Sequence, residues 1–386
     1  MYKHALATAL NAVATLAPQL VALVLLDPHL FGRFSVAYLV YAFGVSLTLS
    51  IVAEPWHLRS LEGSTASWAS FAAAGGCVAL PIGAATYGGA LVVGDSPALG
   101  GIVASAVAIA VWRSGVRYFL VQQKALLRAN LFDLLFVAVF AAALVAALLG
   151  GAERLFAIYL SWAGAGLLSL VALPLPTKLP HSPVGWIREY APEIRRLLGD
   201  SLLMDIGAIF VPMLLAPLLG TIAFGTYRAL SNMAAPVRLV LNPLRPQIMA
   251  RRNASRAASA RMFRWVLAGG LILSLAAGSV LLVIEGLNIH IGVLNSLAPY
   301  ALAVAATVFC NFIGHYSYIR ARGRFTTRGL LLSRVVQTVL VSVLPIAGVL
   351  AGGLAGAIIG STLANVGIAI MWWGMDRRFD GQSDAR

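Results

Sequence analysis

The chain has 386 residues, of which 60% are hydrophobic and only 11% are charged. Soluble domains carry about 25% charged residues, so this composition excludes a water-soluble fold. The formal net charge is +14, and in a membrane protein such charge collects in cytoplasmic loops, which makes nucleic acid an improbable partner. The two cysteines, Cys77 and Cys310, lie in apolar stretches without metal-ligand spacing, so neither a disulfide framework nor a metal site is expected.

Twelve apolar segments are each long enough to cross a bilayer as a helix, which takes about 20 residues. The first segment is too long for the apolar region of an ordinary signal peptide, so we interpret it as a retained membrane helix. In chain order the predicted spans cover residues 5–26, 35–56, 69–93, 101–120, 131–150, 155–173, 199–220, 225–248, 263–285, 295–318, 330–349 and 351–373. The sequence therefore predicts an all-α polytopic membrane protein of about 12 transmembrane helices.

The basic residues fix the predicted orientation of these helices. Clusters occur at residues 124–128, 251–264 and 320–328, after the fourth, eighth and tenth spans. Because Lys and Arg are enriched in cytoplasmic loops, these junctions and both termini are predicted to be cytoplasmic. The cluster at 251–264 is also expected to attract anionic lipids.

The longest break between spans divides the chain into two halves. It contains large side chains at helical spacing with arginines between them, which predicts an interfacial amphipathic helix; a solvated linker is the alternative. These side chains are Trp186, Ile187, Tyr190, Ile194, Leu197 and Leu198, with Arg188, Arg195 and Arg196 between them. The predicted division is a six-helix bundle at 1–173, a cytoplasmic linker at 174–198, a second six-helix bundle at 199–375 and a cytoplasmic tail at 376–386.

Short matches between the halves indicate an internal repeat. Phe31-Gly32 opens the second span and Phe224-Gly225 opens the eighth, at an offset of 193 residues, and the preceding helices carry Pro18 and Pro212. Coincidence is the alternative, because such dipeptides are common in membrane helices. Two six-helix repeats would surround a central cavity, where transporters place their substrate path.

Three stretches resemble the polysaccharide flippases of the multidrug/oligosaccharidyl-lipid/polysaccharide exporter superfamily. They are residues 30–38 (LFGRFSVAY), 319–324 (IRARGR) and 351–357 (AGGLAGA), and the similarity of layout extends along nearly the whole chain. The resemblance implies two six-helix bundles, alternating access and movement of a lipid-linked oligosaccharide from the inner to the outer leaflet. It also implies the bacterial cytoplasmic membrane and the polysaccharide assembly machinery as the setting.

Ionisable side chains inside hydrocarbon are costly and are therefore functional candidates. Four arginines qualify: Arg113 and Arg117 on the fourth span, and Arg228 and Arg238 on the eighth. Guanidinium groups pair with phosphate oxygens, so these arginines, Arg238 foremost, are the predicted ligands of a substrate diphosphate. For Arg113 and Arg117 the alternative is snorkelling towards lipid headgroups.

Other polar residues complete the predicted site. Asn11 and Gln19 lie on one face of the first span and suit sugar hydroxyls. Asp205 on the seventh span, with Asn311 and His315 on the tenth, is predicted to serve gating or coupling to Na+ or H+. The alternatives are that Asp205 neutralises an arginine of the eighth span and that His315 is an ordinary hydrogen-bonded helix residue.

The sequence lacks the common catalytic motifs. We find no Walker phosphate loop, HExxH, GxSxG or paired-carboxylate motif, so neither an enzyme nor a cofactor is expected. Three rival interpretations stay open: a drug or cation antiporter of the same superfamily, a membrane glycosyltransferase or ligase, and a scaffold without substrate. The antiporter would favour carboxylates over arginines in its cavity. The glycines Gly348, Gly352, Gly356 and Gly360 predict a helix-packing seam.

Overall fold

A computed structural model describes residues 2–61, 67–174, 182–237, 241, 248, 256–322 and 327–382, and all regular structure in these ranges is helical. The helices are α1 (Tyr2–Leu25), α2 (Pro28–Thr48), α3 (Glu54–Leu61), α4 (Trp68–Val92), α5 (Pro97–Gln122), α6 (Leu126–Leu149), α7 (Arg154–Ser169), α8 (Pro183–Glu189), α9 (Ala191–Asp205), α10 (Val211–Met233), α11 (Arg256–Gly286), α12 (Ala301–Arg322) and α13 (Thr327–Gln382). Two π-helical turns, Leu49–Ala53 and Ile206–Phe210, connect α2 to α3 and α9 to α10. Two 3-10 segments, Leu170–Ala172 and Gly292–Tyr300, follow α7 and precede α12.

Nine helical runs in the described residues are long and apolar enough to cross a membrane, and Leu10–Leu25 is a shorter apolar helix. Two of the nine are interrupted by glycine: Gly220 breaks α10, and Gly352 with Gly353 breaks α13. The first break falls at the last residue of the seventh predicted span, and the second falls at the start of the twelfth. The all-α, multi-pass fold class is therefore confirmed, whereas the count of twelve and the cytoplasmic termini stay predictions.

The chain forms two compact units. One unit consists of the residues up to Ala22 together with Arg33–Asp205, and the other of Leu23–Gly32 together with the residues from Ile206 onwards. Both α8 and α9 thus belong to the first unit. The segment Leu23–Gly32, although it precedes most of the first unit in the sequence, belongs to the second.

The linker is amphipathic, as predicted, in its described part. Trp186, Tyr190 and Ile194 are buried, with exposures of 3%, 0% and 9%, and pack with Trp56 and Phe71. Arg188, Arg195 and Arg196 are exposed, and so is Ile187, which the pattern had grouped with the apolar side chains. The indole N–H of Trp186 donates to the carbonyl oxygen of Ile51 at 3.1 Å, within the π-helical turn after α2. Burial raises the pKa of Tyr190 to about 12, with a smaller contribution from the carboxylate of Glu189.

Glycines allow two close helix contacts in the second unit. A Cβ added to Gly32 would overlap the carbonyl oxygen of Thr221, and one added to Gly225 would overlap that of Pro28. Within α13, a Cβ at Gly348 or at Gly356 would overlap the other's carbonyl oxygen. The predicted glycine seam is therefore confirmed at Gly348, Gly356 and Gly360. At Gly352 it is wrong, because a Cβ there would meet nothing within 4 Å and the residue lies at the break that folds α13 back on itself.

Candidate functional site

The two predicted arginines of the fourth span lie one turn apart on α5 and meet a carboxylate from α6. Residues at i and i+4 share a helix face, and the short connection after Gln122 sets α6 beside α5. Arg113 Nη2 lies 2.8 Å from Asp133 Oδ1, and Arg117 Nε lies 2.6 Å from Asp133 Oδ2. One carboxylate thus serves two guanidinium groups, and the formal charge of the cluster is +1.

This cluster is enclosed by aromatic rings. The Asp133 side chain is fully buried and that of Arg113 is 8% exposed, whereas that of Arg117 is 17% exposed. The guanidinium carbon of Arg113 lies 4.5 Å from the ring centroid of Phe132 and 4.2 Å from that of Phe136. The Arg113 side chain is therefore enclosed by these rings and little exposed. Its Nε has no hydrogen-bond partner among the described residues.

Asp133 is the member of this cluster that the sequence left without a role. The spacing held a signal, because Asp133 follows Arg117 by 16 residues and Arg113 by 20 across a short turn. A hairpin of two helices brings such positions together.

The predicted residues of the second unit lie on α10 and α12. Arg228 is buried on α10, and the neighbouring Tyr227 accepts a hydrogen bond from Ser361 at 3.1 Å. Asn311 Nδ2 donates to Asn365 Oδ1 at 3.1 Å, linking α12 to the second half of α13. The His315 ring centroid lies 6.1 Å from that of Tyr318. Amide and hydroxyl groups thus line these helix contacts.

Asp205, the predicted coupling residue, is 7% exposed at the end of α9. Its carboxylate accepts a hydrogen bond from the Ser46 side chain, while Oδ2 has no partner among the described residues. One turn earlier on α9, the hydroxyl oxygen of Ser201 lies 2.6 Å from that of Ser50 on the π-helical turn. A ladder of small polar groups therefore joins α9 to the end of α2.

Three predicted ligands remain to be placed. On α1, Gln19 is buried and Asn11 is half-buried. Arg238, the foremost predicted ligand, lies outside the described residues, as does Arg245. Among the described residues, no group of three His, Cys, Asp or Glu side chains could hold a metal ion.

Comparison with known proteins shows similarity in structure alone. No family model matches the sequence, and no curated protein matches it. An outward-facing MATE multidrug resistance transporter of the MOP superfamily superposes with TM-score 0.55 at 14% identity, over 100% of this chain and 95% of that one. A mutant of the Vibrio cholerae MATE transporter VcmN gives 0.58 at 11% identity, over 97% and 96%.

A further similar structure is a flippase. The lipid II flippase MurJ, in an inward closed conformation, superposes with TM-score 0.60 at 9% identity, over 96% of this chain and 85% of that one. Both kinds of protein match over nearly the full length of the chain. The sequence resemblance to flippases of the same superfamily is thus confirmed at the level of the fold. The chain has the fold shared by MATE transporters of the MOP superfamily and the lipid II flippase MurJ.

Proposed function

We propose that the chain is a transporter that moves a polyprenyl-diphosphate-linked oligosaccharide from the inner to the outer leaflet of a bacterial cytoplasmic membrane. The observation that carries the proposal is the net positive charge of the cluster formed by Arg113, Asp133 and Arg117, inside two apolar helices. A fixed cation at this place attracts a diphosphate and repels a cationic substrate. The fold shared with a lipid II flippase supports the same substrate class.

Within this proposal the residues of the cluster have different tasks. Asp133 holds both guanidinium groups in place, and Arg113 is enclosed by its rings. Arg117 has the more exposed side chain, 17% against 8% for Arg113, and is the arginine that meets the diphosphate. Arg228 and Arg238 contribute further positive charge.

The other polar residues act on the sugar and on the coupling ion. Asn11 and Gln19 contact the sugar hydroxyls, while Asn311 and His315 serve gating. Asp205 couples the movement to Na+ or H+. Alternating access of the two units moves the substrate, which the polysaccharide assembly machinery then uses outside.

The test is a flipping assay with the purified full-length protein. Vesicles carry a fluorescent polyprenyl-diphosphate-linked disaccharide in both leaflets, and a membrane-impermeant reductant bleaches the outer leaflet. With active protein nearly all of the fluorescence is expected to be lost, whereas protein-free vesicles lose about half. Equal loss in the two preparations would sink the proposed function.

Two variants separate charge from structure in this assay. Arg117→Gln leaves the neutral Arg113–Asp133 pair, and we expect flipping to slow about 10-fold or more, as for the loss of a charge-assisted hydrogen bond. The matched control is the double variant Arg113→Gln with Asp133→Asn, which removes one charge of each sign and keeps the net charge on Arg117. An Arg117→Gln variant as fast as wild type would remove the proposed site and leave the function standing.

A drug or cation antiporter is the second candidate function, and Asp205 favours it. Its buried carboxylate has an unpaired oxygen in the described structure and lies within the apolar run Ala191–Val237. Such a group attracts a proton or a cation, because an uncompensated charge is costly in hydrocarbon. An organic cation could exchange with that ion.

The same vesicles distinguish the two candidates. They are given a proton or sodium gradient and ethidium in place of the labelled lipid. Gradient-driven ethidium transport that is lost in Asp205→Asn, together with no flipping of the diphosphate lipid, would establish the antiporter. Flipping without ethidium transport supports the proposed function.

A further inference from the structure

A half-buried cation lies in the second unit, at a position outside every site discussed above. Arg334 is the eighth residue of α13 and belongs to the apolar run Leu331–Met375. Its Nη2 donates to the hydroxyl oxygen of Tyr318 at 2.5 Å, and its guanidinium carbon lies 4.4 Å from the centroid of that ring. The arginine is therefore held in one orientation by a side chain of α12.

A tryptophan orients the next polar group. Trp372, which is 1% exposed, donates its indole N–H to Gln337 Oε1 at 3.3 Å and contacts the Tyr318 ring edge-on at a centroid distance of 5.2 Å. An indole N–H can only donate, so the amide oxygen of Gln337 must face Trp372. The Gln337 NH2 group is left as a pair of donors, one helical turn from Arg334.

No carboxylate of the described residues balances the charge of Arg334. Within the part of the chain that the structure describes, Arg334 makes no ion pair with a carboxylate. Its helix neighbours Leu331 and Val335 are 52% and 41% exposed, so an apolar face flanks the half-buried arginine. A guanidinium in such surroundings is stable only with a counter-ion or water. Arg334 and Gln337 together offer donors only, which is the arrangement that an anion requires.

We propose that Arg334 and Gln337, positioned by Tyr318 and Trp372, form a binding site for a phosphate group carried by a lipid. The planar guanidinium supplies paired hydrogen bonds to two phosphate oxygens, and the Gln337 amide supplies a third. At a rise of 1.5 Å per residue, Arg334 lies about 10 Å from the start of α13, within reach of a lipid phosphate. Two sources share this chemistry: the headgroup of an anionic membrane lipid and the diphosphate of a lipid-linked sugar.

Binding to the purified full-length protein in a neutral detergent tests the site without transport. Three probes are titrated: inorganic pyrophosphate, farnesyl diphosphate and short-chain phosphatidylglycerol. Preferential binding of farnesyl diphosphate assigns the site to a diphosphate-linked substrate, and so deepens the proposed function. Preferential binding of phosphatidylglycerol assigns it to a membrane headgroup. If no probe binds, the proposal is overturned, whatever the flipping assay shows.

Three variants locate the binding. Arg334→Gln is expected to weaken binding of the preferred probe about 10-fold or more, because a charge-assisted contact is lost. Gln337→Glu keeps the size of the side chain but supplies Arg334 with an internal carboxylate, and should weaken binding at least as much. The matched control is Arg128→Gln, which removes an exposed positive charge of α6 and should bind like wild type.

A second measurement guards against misfolding. Gln337→Glu is expected to retain the wild-type melting temperature, because the new ion pair forms within one helical turn. Unchanged affinity in both Arg334→Gln and Gln337→Glu would overturn the proposal. So would equal weakening by Arg128→Gln, since it would show that only overall charge matters.

Discussion

Gly32 packs directly against Gly225, so the glycines of the two matched Phe-Gly pairs touch each other. A Cβ added to Gly225 would lie 3.0 Å from the backbone nitrogen of Gly32, and one added to Gly32 would lie 3.3 Å from that of Gly225. The adjacent Phe31 and Phe224 are 0% and 1% exposed. The dipeptide that suggested a repeat in the sequence therefore marks a place where two backbones meet, which only glycine allows.

Gly225→Ala is expected to lower the free energy of unfolding by about 1–3 kcal/mol, because the added Cβ would overlap the carbonyl of Pro28. The melting temperature of the purified protein in detergent measures the change. Gly101→Ala is the matched control, since its Cβ would meet nothing within 4 Å, and helix propensity predicts no loss. Equal melting temperatures of the Gly225→Ala and Gly101→Ala proteins would contradict the close contact.

Asp133→Asn is expected to destabilise the first unit by about 3–5 kcal/mol, because two guanidinium groups would lose their buried counter-charge. The double variant with Arg113→Gln should recover part of the loss, since it leaves one fewer uncompensated cation. Melting temperatures of the single and double variants test this coupling.

The pair formed by Arg33 and Asp95 provides the comparison. It is more exposed, with 30% and 11% of the two side chains accessible, so Asp95→Asn should cost no more than about 1 kcal/mol. Equal losses of unfolding free energy in Asp95→Asn and Asp133→Asn would show that burial does not make the Asp133 ion pairs more important for stability.

Gly220→Ala is expected to destabilise the protein by about 1–3 kcal/mol through the backbone alone. Gly220 has φ 72° and ψ 164°, a backbone conformation that residues other than glycine rarely adopt. A Cβ there would meet nothing within 4 Å, so crowding contributes nothing. Thermal melting beside the Gly101→Ala control measures the difference, and an unchanged melting temperature would argue that α10 can continue through this point.

Trp186→Phe is expected to cost about 1–3 kcal/mol, because the ring contacts survive while the part-buried carbonyl of Ile51 loses its donor. Trp186→Ala should cost more, since it also empties a packed site. Trp265→Phe is the control, because Trp265 is 75% exposed. The free energy of unfolding is measured by chemical or thermal denaturation. Equal losses in Trp265→Phe and Trp186→Phe would count against the role of the hydrogen bond.

Much of the fold could be predicted because it follows from local patterns. Apolar runs of sufficient length marked the spans, and helical spacing of Trp186, Tyr190 and Ile194 marked the buried face of the linker. The glycines at 348 and 356 face each other because the break at Gly352 and Gly353 reverses the chain. In each case, the signal and the structure lie within one or two helical segments.

The sites were harder to predict from the sequence, because they depend on contacts between helices. Asp133 gained its role only when α6 was set beside α5. Gln337 and Trp372 are 35 residues apart and meet through the reversal of α13, so the Arg334 cluster was not foreseen. Arg238 stays a predicted ligand, because it lies outside the described residues.

The assignment of Leu23–Gly32 to the second unit limits how the gene product can be divided. A fragment beginning at Ile206 would lack the segment that covers the backbone at Thr221 and Gly225. Expressed by itself, this fragment would expose the α10 backbone at Thr221 and Gly225. Co-expression with the fragment that ends at Asp205 would supply the missing segment Leu23–Gly32. Proteolytic cleavage between Asp205 and Ile206 should likewise leave two fragments that purify together.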